Sequence, residues 1–199
     1  MKKLMIVAAM MLMSTGAFAQ GMFVKPMVGA TLSTLTGDVE DTKFRLGLGA
    51  GAEFGYMFSE QFGATAGVLV SMQGCNYKDY EILGSTLKDH SETLTYLNIP
   101  ILANLYLLPG LAVKAGVQPG FLLSAKEKWT VNGHDESESG TEGYKKFAFS
   151  IPVGLSYEIS DFVIDARYHF GLTNIYDTSG DYSVKNGVIM LTVGYKIPF

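Results

Sequence analysis

From Phe44 to Phe58 the chain reads FRLGLGAGAEFGYMF. Phe44, Leu46, Leu48, Ala50, Ala52, Phe54, Tyr56 and Phe58 share one parity, while Arg45, Glu53, Met57 and the glycines share the other. Alternation at period two marks a β-strand whose faces meet different surroundings, because successive Cβ atoms point to opposite sides of a sheet. The same template fits eight times, with apolar parities running Val24–Leu32, Phe44–Phe58, Phe62–Met72, Leu97–Leu107, Leu111–Leu123, Phe147–Tyr157, Phe162–Leu172 and Ile189–Phe199. No charge falls on any of those parities. Lys25, Arg45, Glu53, Lys114, Glu158, Asp165, Arg167, His169 and Lys196 lie on the opposite one, among small and polar residues.

The connections alternate too. Ser59–Gln61, Leu108–Gly110 and Ser160–Asp161 are short, whereas Leu35–Lys43, Asn76–Ser91, Lys126–Lys145 and Asn174–Asn186 are long and polar. The pattern predicts an all-β fold: a closed, eight-stranded, antiparallel up-and-down transmembrane β-barrel with both termini at the short-turn end. Closure removes the edge strands that would otherwise pair with other chains.

Side-chain size chooses between a barrel in water and a barrel in lipid. An eight-stranded wall leaves an interior just wide enough for side chains. Small residues with a few long charges suit that interior, and bulky aliphatic and aromatic residues suit an outside facing lipid. Tyr56, Phe58, Phe62, Tyr157, Phe162, Tyr195 and Phe199 gather near the short-turn end, as an interfacial girdle should. The rival is a secreted soluble barrel with an apolar, ligand-holding interior.

The first 19 residues, with Lys2, Lys3, an apolar run and Ala17-Phe18-Ala19, read as a signal peptide. The expected division is therefore signal peptide 1–19 and outer-membrane barrel 20–199, reached by Sec-type export. Removing Lys2 and Lys3 from 15 basic residues against 19 acidic leaves a mature net charge of −6. That charge, with no long basic run, argues against nucleic acid as a partner. One cysteine, Cys75, excludes an internal disulfide framework.

Two stretches carry a resemblance. Tyr96-Leu97-Asn98-Ile99-Pro100-Ile101-Leu102 resembles the "Y-L-x-I-P-L-L" strand of the PorT-like outer-membrane β-barrel family. The last strand, ending at Phe199, is similar to the C-terminal strands of Gram-negative outer-membrane proteins that the barrel-insertion machinery recognises. The resemblance implies an eight-stranded outer-membrane barrel whose partners are outer-membrane lipid and, during biogenesis, that machinery. It implies no defined activity.

Chemistry is sparse. Gly47-Leu48-Gly49-Ala50-Gly51-Ala52 matches a dinucleotide fingerprint, but the strand pattern runs through it and no helix follows to hold a pyrophosphate. His90 and His134 each have an acidic neighbour, which opens a lipid-modifying enzyme as an alternative. Neighbours along a loop are not a positioned nucleophile and base. The sequence therefore points to a non-enzymatic barrel with no cofactor and no metal, in which the eight parity-matched charges and His169 form one lumen network that plugs the barrel. A narrow pore is the other alternative. Trp129, His134, Asp135 and Glu136 on the third long loop are the candidate contacts for an unidentified surface or periplasmic partner. Pro100, Pro119 and Pro152 each lack a ladder donor, so breaks or bulges are expected there, most of all at Pro100.

Overall fold

The computed structural model describes residues 21–39, 42–78, 80–82, 85–131, 134–177 and 183–199. The expected signal peptide, residues 1–19, and its cleavage site lie outside them. The strands are β1 (Met22–Gly37), β2 (Thr42–Lys43), β3 (Arg45–Met57), β4 (Phe62–Tyr77), β5 (Tyr80–Ile82), β6 (Ser85–Asn98), β7 (Ile101–Leu108), β8 (Leu111–Val131), β9 (His134–Ser139), β10 (Phe147–Ile159), β11 (Phe162–Gly171), β12 (Val184–Tyr195) and β13 (Ile197–Pro198).

Pairing closes a ring. β1 pairs with β3, β3 with β4, β4 with β6 and β7, β8 with both of these and with β10, β10 with β11, β11 with β12, and β12 with β1, all antiparallel. With β6 and β7 counted as one interrupted wall strand, and β13 as the end of β12, the barrel has eight strands. The termini meet where Phe23 pairs with Pro198 and the Phe199 amide donates to the Met22 carbonyl. A closed ring satisfies the backbone internally, the condition for crossing a bilayer with strands.

The apolar parity lies on the outside. Leu46 is 72% exposed, Phe58 65%, Phe62 55% and Leu155 53%, while the opposite parity is buried. The short-turn girdle holds edge-to-face aromatic pairs, Tyr56 with Phe58 and Phe162 with Tyr195.

Three expectations need revision. The interior is not filled by small and polar residues alone: Phe23, Met27, Leu69, Leu102, Val163 and Met190 are buried in it. A narrow lumen must be packed to interior density, and glycines cannot do that. Second, much of the expected loop 126–145 is sheet, because β8 runs on to Val131 and pairs with β9. Residues 76–91 likewise contain the end of β4, β5 and the start of β6. Third, the prolines differ in effect. The wall strand breaks between β6 and β7 at Ile99-Pro100, and β10 loses its rungs to β8 between Ser150 and Val153, beside Pro152. β8 runs unbroken through Pro119, whose carbonyl accepts from the Ile99 amide beside the break.

Candidate functional site

The sequence groups nine residues into one lumen network; the structure distributes them over separate levels. At the short-turn end Lys196 Nζ lies 2.9 Å from Glu158 Oε2, and the Tyr106 hydroxyl donates to Glu158 Oε1 at 2.7 Å. Lys196 also sits 4.5 Å above the Phe23 ring centroid.

Mid-barrel, five residues from four strands interlock, with Asp165 and Arg167 both on β11. Lys25 Nζ is 2.8 Å from Glu53 and 3.7 Å from Asp165, and Lys114 Nζ is 2.7 Å from Asp165. Arg167 donates through Nε and Nη2 to Asp165 at 2.6 and 2.8 Å, and through Nη1 to Glu53. All five side chains are at most 5% exposed. Buried charges persist only when paired in this way, since removing one partner strands the others in a low-dielectric interior. Glycines make the room: a Cβ on Gly154 would lie 2.9 Å from Arg167 Cγ, and one on Gly194 2.8 Å from Lys25 Cγ.

Above this plug a cavity of about 20 Å³ is lined by Gln73, Tyr96, Asn98, Gln118, His169 and Asn186, among others. The Tyr96 hydroxyl, both His169 ring nitrogens, Gln118 Oε1 and Asn186 Oδ1 have no protein hydrogen-bond partner. Unpaired buried polar groups each cost about 1–3 kcal/mol, and the volume suits one or two ordered waters. His169 therefore stands apart from the plug. Arg45, half-buried on β3, forms no ion pair with it either.

Over the cavity Leu35, Cys75, Leu94, Tyr96, Leu122, Ala125, Ile175 and Val184 form an apolar layer. A mouth cluster of carboxylates and aromatics closes it. The Tyr77 and Tyr176 hydroxyls lie 3.0 and 2.8 Å from Glu92 Oε2, and the Tyr144 hydroxyl donates to Glu127 Oε1 at 2.6 Å. His90 stacks on Tyr77 at 4.5 Å between centroids, with Nε2 3.8 Å from Glu127. Trp129 meets His90 edge-on at 6.3 Å. The outward neighbours at this height, Thr93, Thr95 and Lys126, are polar, so the cluster stands above the apolar belt.

Electrostatics follow from burial. Glu92, 1% exposed, has its carboxyl pushed up by desolvation, opposed by the hydrogen bonds from Tyr176 and Tyr77. The Tyr77, Tyr144 and Tyr176 phenols are pushed up by burial and then by the adjoining carboxylates. Burial pushes the Cys75 thiol up to about 12.

Of the expected loop contacts, Trp129 turns toward His90, while His134, Asp135 and Glu136 are exposed on β9. The sequence reading missed Glu92, Glu127 and the three mouth tyrosines. The signal was there: Glu92 shares parity with the inward Leu94 and Tyr96, so extending the strand pattern past the belt finds it.

A closed eight-stranded barrel with an apolar belt and an ion-paired lumen defines the class, an outer-membrane β-barrel. The chain belongs to the family described as outer membrane protein beta-barrel domain, which it matches over residues 18–177. Among solved structures it is similar to Ail, the attachment invasion locus protein of Yersinia pestis, with 20% identity over 89% of this chain and 99% of that one, at a TM-score of 0.50. The same protein in complex with the heparin analogue sucrose octasulfate gives 18% identity, 89% and 100% coverage, and a TM-score of 0.52. Neisserial surface protein A is similar at 12% identity, with 90% and 98% coverage and a TM-score of 0.48. No curated protein matches the chain.

Proposed function

We propose that the chain is a non-enzymatic, non-conducting outer-membrane barrel whose outer end serves as a contact surface. The observation that carries this reading is the buried Lys25–Glu53–Arg167–Asp165–Lys114 network, which fills the lumen at mid-height. The apolar layer and the tyrosine–carboxylate mouth support it from above. A surface role is supported by the β8–β9 hairpin, which extends beyond the belt and exposes His134, Asp135 and Glu136. The finer placement among PorT-like barrels rests on the Tyr96–Leu102 stretch and Phe199 alone.

In planar bilayers the wild type is expected to be silent, and Lys114→Ala with Arg167→Ala to conduct. Steady wild-type conductance would sink the plug. On intact cells a thiol label should reach His134→Cys and not Glu60→Cys, and the reverse would refute the outward hairpin. The enzyme alternative lacks support from geometry: among the described residues neither His90 nor His134 shares a hydrogen bond with a serine hydroxyl. Acyl transfer or lipid hydrolysis that His90→Ala or His134→Ala abolishes would reinstate it.

A further inference from the structure

The hairpin of β8 and β9 has two chemically unlike faces. Its register pairs Lys126 with Ser139, Glu127 with Glu138, Lys128 with Ser137 and Trp129 with Glu136. Directly opposite residues of an antiparallel pair share a face. Lys126, Lys128, Ser137 and Ser139 therefore lie on one side, and Glu127, Trp129, Glu136 and Glu138 on the other. The acidic side turns to the mouth, because Glu127 accepts from Tyr144 and Trp129 meets His90. The lysine side must then continue the outer wall of the barrel. Across β8, β6 sets Thr93 opposite Lys126 and Ser91 opposite Lys128. Lys145, exposed, comes two residues before the outward Phe147.

The height of this face names its neighbour. Phe121 and Phe147 touch at 5.7 Å between ring centroids, and with Leu123, 54% exposed, they form the upper rim of the apolar belt. Lys126 follows Leu123 by three residues, about 10 Å along a strand. At a strand tilt of about 40° that is roughly 7 Å along the membrane normal, the depth of lipid headgroups outside the hydrocarbon core. The first carboxylate on this face is Asp135, at the far end of the hairpin, where it accepts from the Thr130 hydroxyl at 2.8 Å. In a chain of net charge −4, Lys126 and Lys128 both lie on the lipid side of the hairpin, while Glu127, Glu136 and Glu138 lie on the mouth side and Asp135 alone of its carboxylates shares the lysine face.

We propose that Lys126, Lys128 and Lys145 form a docking surface for the phosphate groups of outer-leaflet lipid headgroups, with Ser91, Thr93 and Ser137 as hydroxyl donors around them. Ammonium groups at a membrane surface attract anionic headgroups additively and within a Debye length, which this height satisfies. Lipid phosphate thereby holds the hairpin upright against the wall and fixes how far it projects.

The test uses the full barrel, reconstituted in phosphatidylcholine nanodiscs doped with a phosphorylated glycolipid, lipid A, or with its dephosphorylated form. Glycolipid retained after detergent extraction is quantified by mass spectrometry. Wild type should retain the phosphorylated form selectively, and K126Q/K128Q/K145Q should lose retention by roughly fivefold per lysine. E136Q/E138Q, on the opposite face, should retain it as wild type does. Equal retention by the triple variant, or of the dephosphorylated lipid by wild type, would overturn the proposal. Amine labelling of wild type, which needs no variant to fold, should show the three lysines protected by lipid A. Equal protection by inorganic phosphate in solution would assign the face to a soluble anion and overturn the lipid assignment.

Discussion

At the scale of single residues, the barrel depends most on atoms that have no substitute partner. Asp165 accepts from Arg167 and Lys114 while also facing Lys25, and it is 2% exposed. Asp165→Asn leaves three cations facing Glu53 alone. Breaking a buried pair from one side costs about 3–5 kcal/mol, so denaturant unfolding of the detergent-folded variant should show a loss of that order. An unchanged midpoint would mean that the network is not closed in solution. Cys75 supplies a second check. It is fully buried, with its thiol pushed up to about 12, so at neutral pH it presents no thiolate to an alkylating reagent. Alkylation should appear only on unfolding, and rapid modification of the folded barrel would contradict the apolar layer beneath the mouth.

At the scale of elements, the mouth is where segments remote in sequence are tied together. Tyr144 and Tyr176 bridge to each other and reach Glu127 and Glu92, which sit opposite one another on β8 and β6. Like charges directly opposite are unfavourable on a sheet. Burial raises the Glu92 pKa in the folded state above its unfolded value. The contribution of the cluster is therefore fully present below the ordinary carboxylate pKa and declines as pH rises through the raised one. Hydrogen exchange of the segments around Tyr144 and Tyr176 should be slower at mildly acid pH than at alkaline pH, after correction for intrinsic rates. Glu92→Gln should flatten that dependence, and a pH-independent wild type would refute the assignment. The same scale accounts for the wall strand split at Pro100: the missing N–H interrupts the ladder there, while the Ile99 amide still donates to the Pro119 carbonyl and the Gly67 amide to the Pro100 carbonyl, which keeps β6 and β7 in one wall.

For the whole molecule, burial is inverted. Large residues such as Leu46, Leu48 and Phe58 are exposed around the belt, while lysine, arginine and aspartate are enclosed. Water would penalise that surface and lipid does not. Residues 20–199 should refold only with detergent or lipid, and run on a gel with a mobility that changes on boiling. A monodisperse folded product in plain buffer would remove the membrane reading altogether. The family match over residues 18–177 and the closed ring of strands agree with the inverted pattern.

The strand count, the parity of every wall residue, the short-turn girdle and the break at Pro100 were all legible in the sequence. Each follows from period-two alternation or from a missing N–H, and both are local properties of the chain. The partners of the inward charges were not legible. Parity says that Arg45 and Arg167 both leave the apolar face, but only register and strand stagger give their heights, and these place Arg167 between two carboxylates and Arg45 away from them. The mouth cluster and the two-faced hairpin escaped for the same reason. Glu92, Glu127, Tyr144 and Tyr176 are far apart in the chain, and closure of the ring brings them together. Alternation determines which way each side chain points, whereas the closed ring alone decides what it meets.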